Sequence, residues 1–281
     1  MGLRAALLQL NSGDDPAANL PVTLDYLHEA AAGGAHIALT PEVTNCVSSS
    51  RAHQNNVLQH EDSDITLATL RDAARELQIW VLIGSLALKT HDADGRFANR
   101  SFLIAPDGTI AARYDKVHMF DVQVSEAESY RESSGFRPGT HAVLADTDLA
   151  CIGLSVCYDL RFAYLYRALA QAGAEILTVP AAFSPVTGAA HWHVLLRARA
   201  IETGCFVLAP AQTGQHAAHE GKPRQTYGHS LAVSPWGEVL LDMGTQPGVG
   251  FVTLDLDQIV GARGRIPALF HDRPIEGPAH P

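Results

Sequence analysis

A chain of 281 residues, 47% hydrophobic and 18% charged, has enough apolar side chain to pack a core, which excludes disorder over most of its length. Its 20 Lys and Arg against 30 Asp and Glu give a formal charge of −10, which repels a polyanion, so no nucleic-acid partner is expected. At ~150 residues per domain the length admits one large α/β domain or two smaller ones.

Residues 3–10 are the first predicted strand. The N-terminal stretch MGLRAALLQLNSGDD turns polar by Asn11 and lacks the apolar core and cleavage site of a signal peptide, so a cytoplasmic protein is expected. Asp14, Asp15 and Pro16 supply an N-cap and a first-turn proline for a helix to about Ala32, closed by Gly33 and Gly34. Residues 36–40 form the second strand, ending at Pro41-Glu42. Leu67, Leu70, Ala74 and Leu77 recur at helical spacing within 64–77, and 80–88 is a buried strand. The longest nearly uninterrupted apolar stretch, 79–88, is far shorter than the ~20 residues a membrane-spanning helix needs, so no membrane partner is expected. Residues 101–105 and 109–114 form a hairpin, because Asp107-Gly108 supplies the positive φ of a tight turn. Residues 116–139 have no clear period and read as a long functional loop.

Regular structure resumes with a strand at 150–156, a helix at about 161–172, a strand at 175–179 and a helix at about 189–203 closed by Gly204. Strands follow at 205–209, 230–233, 238–242 and 250–256, the middle two joined through Pro235-Trp236-Gly237. A domain over 1–272 with a proline-rich tail over 273–281 is expected. Each half of the chain runs strand, helix, strand, helix, strand. Two sheets, each covered by helices on one face, fit this order and would bury the apolar strands between them.

Glu42, Lys116 and Cys157 each follow a predicted strand, where catalytic groups of α/β sheets collect. Cys157 also stands just ahead of the helix expected near Arg161, whose positive end favours thiolate over thiol. An ammonium at ~4 Å would contribute ~4 kcal/mol at an effective dielectric of ~20, or up to ~3 pKa units, and a carboxylate would oppose it. Residue type alone favours blander readings: a buried structural thiol for Cys157 and solvated charges for Glu42 and Lys116. Cys46, Cys151, Cys157 and Cys205 form no CxxC pair and are too few for a disulfide framework.

The strings PEVTN at 41–45, YDKVHMFD at 114–121, YRES at 130–133 and GLSVCYDLRF at 153–162 resemble, in order and separation, the catalytic signatures of the nitrilase (carbon-nitrogen hydrolase) superfamily. The similarity continues through TVPAAF at 178–183, TGAAHWHVLLRARAIET at 187–203 and YGHSLAVSPWGEV at 227–239. It implies a four-layer αββα sandwich, dimerised so that the helical layers following the nucleophile pack together, as a homodimer or a higher homo-oligomer. It implies Glu42 as general base, Lys116 as the cation stabilising the tetrahedral intermediate, Cys157 as nucleophile, and Glu132 as a second glutamate bonded to Lys116. Tyr158, Arg161, Phe183 and Thr187 are the implied substrate-binding residues.

Cys157-Tyr158-Asp159-Leu160-Arg161-Phe162 is similar to the Nit branch, whose members hydrolyse a terminal amide on a substrate that also bears a carboxylate. Arg161, with its planar fork, is the expected carboxylate partner; the alternatives are a helix-surface arginine or a pair with Asp159. The run LLRARAIET favours deaminated glutathione over alpha-ketoglutaramate. His191-Trp192-His193 and Phe162-Ala163-Tyr164 depart from the branch pattern of His-Trp-Glu and Phe-Pro-Glu, which bears on substrate identity. No cofactor is implied. Nor is a metal expected: His191 and His193 point to different faces of a predicted helix, and His216 and His219 lie in a polar loop without carboxylate or Cys ligands at suitable spacing. A dyad of Cys157 with His118, His191 or His229 is a further arrangement that spacing does not favour. Alternatives to the amidase are an N-carbamoyl amide hydrolase with the same catalytic set, and a silent scaffold, which would gain nothing from holding these charges together.

Overall fold

A computed structural model describes residues 2–124 and 129–277 of the chain. Its first half runs β1 (Leu3–Gln9), α1 (Pro16–Ala32), β2 (Ile37–Leu39), α2 (Arg51–Val57), α3 (Ile65–Leu77), β3 (Trp80–Leu88), β4 (Ala98–Ile104) and β5 (Ile110–Asp115). Short strands β6 (Asp121–Gln123) and β7 (Ser129–Arg131) lead to the second half. That half comprises β8 (Val143–Asp146), β9 (Cys151–Leu154), α4 (Ala163–Gln171), β10 (Ile176–Thr178), α5 (Pro185–Thr203), β11 (Phe206–Ala209), β12 (Thr213–Gln215), β13 (Gln225–Tyr227), β14 (Leu231–Val233) and β15 (Val239–Asp242). The chain closes with β16 (Gly248–Leu254) and α6 (Asp257–Arg265).

Two six-stranded sheets result, ordered β16-β1-β2-β3-β4-β5 and β15-β14-β11-β10-β9-β8. β1, β2 and β3 are parallel neighbours, as are β9, β10 and β11. The echo between the halves is therefore structural. Strand alternation decides which side chain enters which layer. Leu3, Ala5 and Leu7 of β1 join Ile152, Leu154 and Leu208 of the other sheet in one core, while Ala6 and Leu8 join Leu27 and Leu70 of the helices on the opposite face. Residues of α4 and α5, among them Leu165 and Trp192, cover the outer face of the second sheet. The layers are αββα, and each fully buried Leu or Ile contributes roughly 1.5–3 kcal/mol to holding them.

In β3 the alternation slips. The β3–β4 register shifts between Ile83 and Leu86, so Val81 and Ile83 face the helices before it and Leu86 and Leu88 after it. At the shift the Gly84 N–H donates to Thr40 Oγ1 at 3.0 Å and Ser85 Oγ accepts from the Val43 N–H at 2.8 Å. A Cβ on Gly84 would lie 2.0 Å from the Thr40 carbonyl oxygen, so only glycine allows the bulge to hold the turn that carries Glu42.

Asp15 caps α1 as expected, accepting from the Ala17 and Ala18 N–H groups. α5 starts at Pro185, four residues before the expected position, with proline in its first turn. The stretch 116–139 is more ordered than a continuous loop: β6 pairs with β7, and Glu132–Ser134 form a 3-10 turn. Residues 125–128 of that stretch lie outside the described residues. α2, β8, the β12–β13 hairpin and α6 have no counterpart in the sequence pattern. α2 is seven polar-rich residues with only Gln54 buried, and β8 is an edge strand. Residues 271–277 have no regular structure, and 278–281 of the expected tail lie outside the described residues. Among the described residues no helix is long and apolar enough to cross a membrane.

Candidate active site

Glu42 stands in the turn after β2, Lys116 directly after β5, Glu132 in the turn after β7, and Cys157 after β9, so four chain segments bring their first residues beyond a strand to one place. Lys116 Nζ donates to Glu42 Oε1 at 2.8 Å and to Glu132 Oε1 and Oε2 at 2.9 and 2.8 Å. Glu42 Oε2 accepts from the Ala182 N–H at 2.9 Å, and the Cys157 thiol stands within the field of the same carboxylate. Cys157 has φ +49° and Val43, beside Glu42, φ +48°. Such left-handed backbone in non-glycine residues costs of order 1–3 kcal/mol and clusters where side chains must be aimed. Asp159 fixes the nucleophile turn: Oδ2 accepts from the Val156 N–H at 2.8 Å and from the Tyr114 hydroxyl at 2.7 Å, and Oδ1 accepts from the His118 N–H at 3.0 Å. The strand leading to Lys116 is thereby tied to the turn that starts at Cys157.

The charge state differs from the sequence expectation. Cys157 opens a 3-10 turn, Cys157–Arg161, and α4 begins only at Ala163, so no α-helix terminus stands beside the sulfur. Burial, then the Glu42 carboxylate, push the thiol well above its ordinary pKa, and Lys116 opposes them only in part. Burial alone would raise Glu42, but Lys116 and Arg224 outweigh it and bring the carboxyl down to about 2. Lys116 is raised, its burial being outweighed by Glu132 and Glu42. The resting trio is thus a carboxylate, an ammonium and a neutral thiol. The base is charged in advance, and the sulfur loses its proton only as it reacts.

These groups open into a cavity of about 690 Å³, also lined by Tyr158, Phe183 and Thr187, a volume ordinary for a small-molecule site. Arg161 is placed otherwise. It is absent from the lining; its guanidinium carbon lies 5.8 Å from the Tyr158 ring centroid and 5.5 Å from that of Phe183, and Nη1 meets His191 Nδ1 at 3.2 Å. It does not pair with Asp159, whose oxygens are taken by the turn and by His118. Arg161 thus stands against the Tyr158 and Phe183 rings, beside the cavity rather than in its lining.

None of the three histidines weighed as a Cys157 partner is one. His118 uses Nδ1 on Asp159 and Nε2 on the Tyr164 hydroxyl, His191 meets Arg161, and His229 Nδ1 meets Asp242 at 2.8 Å. His193, the first departure from the branch pattern, bonds Asp242 at 2.9 Å and is absent from the cavity lining. His219, expected to lack a carboxylate, bonds Asp14 at 2.7 Å, with His53 on the same carboxylate. That contact spans 205 residues, which is why spacing hid it. The Asp242 carboxylate accepts from His193 and His229, and the Asp14 carboxylate from His219, while His53 Nε2 donates to the Asp14 backbone carbonyl at 2.9 Å.

Asn99 was not anticipated. Its Nδ2 donates to Glu42 Oε1 at 2.9 Å and to Glu132 Oε1 at 3.3 Å, bridging the two carboxylates from β4. Asn99 opens the polar run Asn99-Arg100-Ser101 at the start of β4, and the expected hairpin began two residues later. Arg224 also lines the cavity, and nothing local marks it.

The chain matches the profile of the carbon-nitrogen hydrolases over residues 4–263. The deaminated glutathione amidase of Yersinia enterocolitica is 38% identical to it over 269 residues, 95% of this chain and 92% of that protein. The crystal structure of the C. elegans NitFhit protein superposes with a TM-score of 0.88 at 33% identity, over 97% of this chain and 66% of that longer one. A glutamate-to-glutamine mutant of the amidase from Nesterenkonia sp. AN1, showing the result of Michael addition of acrylamide at its active-site cysteine, superposes with a TM-score of 0.76 at 26% identity, over 94% of this chain and 98% of that one.

Proposed function

The chain belongs to the carbon-nitrogen hydrolase family, and from that membership we propose that it hydrolyses the amide of a small carboxylate-bearing substrate through a thioester on Cys157, with deaminated glutathione the favoured substrate. It is an amidase. The observation that carries the catalytic assignment is the Glu42 carboxylate held between the Lys116 ammonium and the Cys157 thiol. Glu42 takes the thiol proton as Sγ attacks the amide carbon. The oxyanion is met by Lys116 and by the Tyr158 N–H, where preorganised donors contribute most. Protonated Glu42 passes its proton to the departing nitrogen, which leaves as the amine. Glu42, again a carboxylate, then takes a proton from water as the water attacks the thioester carbon. The acid is released and the proton returns to the sulfur. Glu132 and Asn99 keep Lys116 and Glu42 in place.

The amide nitrogen of deaminated glutathione carries the Cys-Gly dipeptide, so its turnover is read as the freed dipeptide amine; with primary amides such as alpha-ketoglutaramate the product is ammonia. Assayed side by side, deaminated glutathione should have a kcat/KM at least about tenfold above alpha-ketoglutaramate and above simple aliphatic amides, a gap of about 1.4 kcal/mol. Equal or lower kcat/KM for deaminated glutathione would overturn the substrate assignment and leave the amidase chemistry standing. A homodimer through the helical layer is part of the same proposal, supported by Tyr164 of α4 and Val194 and Ile201 of α5, apolar side chains that are 65%, 67% and 54% exposed. A cytoplasmic location is supported by four free cysteines.

A further inference from the structure

We infer that Arg224 is the residue that grips a substrate carboxylate in this cavity, and so selects anionic over neutral amides. This rests on the amidase reading above and deepens it. Arg224 precedes β13 and lines the same cavity as Cys157. One guanidinium N–H is spent: Nη2 donates to the Ala182 carbonyl at 2.7 Å. Ala182 is the residue whose N–H holds Glu42 Oε2, which fixes the guanidinium one peptide unit from the catalytic carboxylate. Nε is buried with no hydrogen-bond partner among the described residues, no ion pair with a described carboxylate engages the fork, and the guanidinium carbon lies 5.9 Å from the centroid of the Tyr130 ring.

The other cations around the cavity are differently placed. Arg51 is consumed by the carbonyls of Gly135 and Gly95 and lies 3.5 Å over the Phe97 ring. Lys116 is shared between two carboxylates. Arg131 and Lys222 are exposed at the mouth, where water competes for their charge. A partly buried guanidinium with unspent donors is costly to keep unless an anion meets it, and its planar fork suits a carboxylate. The field of Arg224 already reaches Glu42, whose pKa it lowers. An anion bound to the fork therefore lies within the reach of a short acyl chain whose amide is on Cys157.

The test compares glutaramate with valeramide, two five-carbon primary amides that differ in a terminal carboxylate against a methyl, on the full-length wild type, Arg224→Gln and Arg224→Lys. Wild type should favour glutaramate. Arg224→Gln should lower kcat/KM for glutaramate about 100-fold more than it lowers that for valeramide, a difference of about 2.8 kcal/mol at 1.4 per tenfold, with the excess falling mostly on KM. Arg224→Lys should fall between. Equal losses on both substrates would assign Arg224 to holding Ala182 and overturn the inference while the amidase stands. No loss on glutaramate would overturn it as well. A wild type with no preference for glutaramate would instead remove the carboxylate-bearing substrate itself.

Discussion

Glu42→Gln should lower amide turnover by about a thousandfold, within the range that loss of a positioned acid or base produces, while making Cys157 more reactive toward iodoacetamide at neutral pH. The two effects have opposite sign because Glu42 does two things to the sulfur. As a carboxylate it is the proton acceptor during attack. As a neighbouring negative charge it also keeps the thiol protonated, second only to burial. Glutamine removes both and leaves the Lys116 ammonium, which favours thiolate. With the opposing carboxylate gone and the ammonium kept, the thiol pKa should fall. Each unit of fall gains tenfold in thiolate and loses about threefold in nucleophilicity, so alkylation at pH 7 should be faster than in wild type. In wild type the alkylation rate should climb through pH 9, because the thiol is raised, whereas in Glu42→Gln the climb should begin at lower pH. A variant that both retains turnover and shows the wild-type alkylation profile would remove Glu42 from the chemistry.

Lys116→Met should be damaging in two measurements at once. The ammonium separates Glu42 from Glu132 and contacts both. Without it the buried Glu42 carboxylate faces the partly buried Glu132 across Asn99, and breaking a buried ion pair in this way costs about 3–5 kcal/mol, to be read as a lower urea midpoint. The Glu42 pKa, now depressed to about 2 with Lys116 a main cause, should rise. A base that was charged throughout the working range then becomes partly protonated as pH falls. With the oxyanion support also gone, worth about 10²–10³ in kcat, amide release should drop by a thousandfold or more. Turnover within tenfold of wild type would contradict the role given to Lys116.

What the sequence made legible and what it hid divide along sequence separation. Strands such as β1 and β3 announce themselves through local apolar runs, and α1 through Asp15 and Pro16. The bulge at Gly84 does not, because it is defined by contacts with Thr40 and Val43 across a parallel neighbour. Glu42, Lys116 and Cys157 could be picked out because each directly follows a strand inside a recognisable string. Arg161 lay inside such a string too, yet it stands against the Tyr158 and Phe183 rings outside the cavity lining. Arg224, in a polar loop with no string to mark it, reaches Ala182 and the cavity. The helix-end argument for a thiolate failed for a related reason: it weighed a local dipole without the burial and the facing carboxylate that folding adds.

The central claim is that the sulfur of Cys157 carries the acyl group during turnover. Acid quenching of wild type during turnover of a slow amide, followed by intact mass and peptide mapping, tests it directly. The account predicts one acyl adduct, on the peptide containing Cys157, that disappears when substrate is exhausted. An adduct confined to Cys46, Cys151 or Cys205, or turnover that persists in Cys157→Ala with no adduct anywhere, would contradict it.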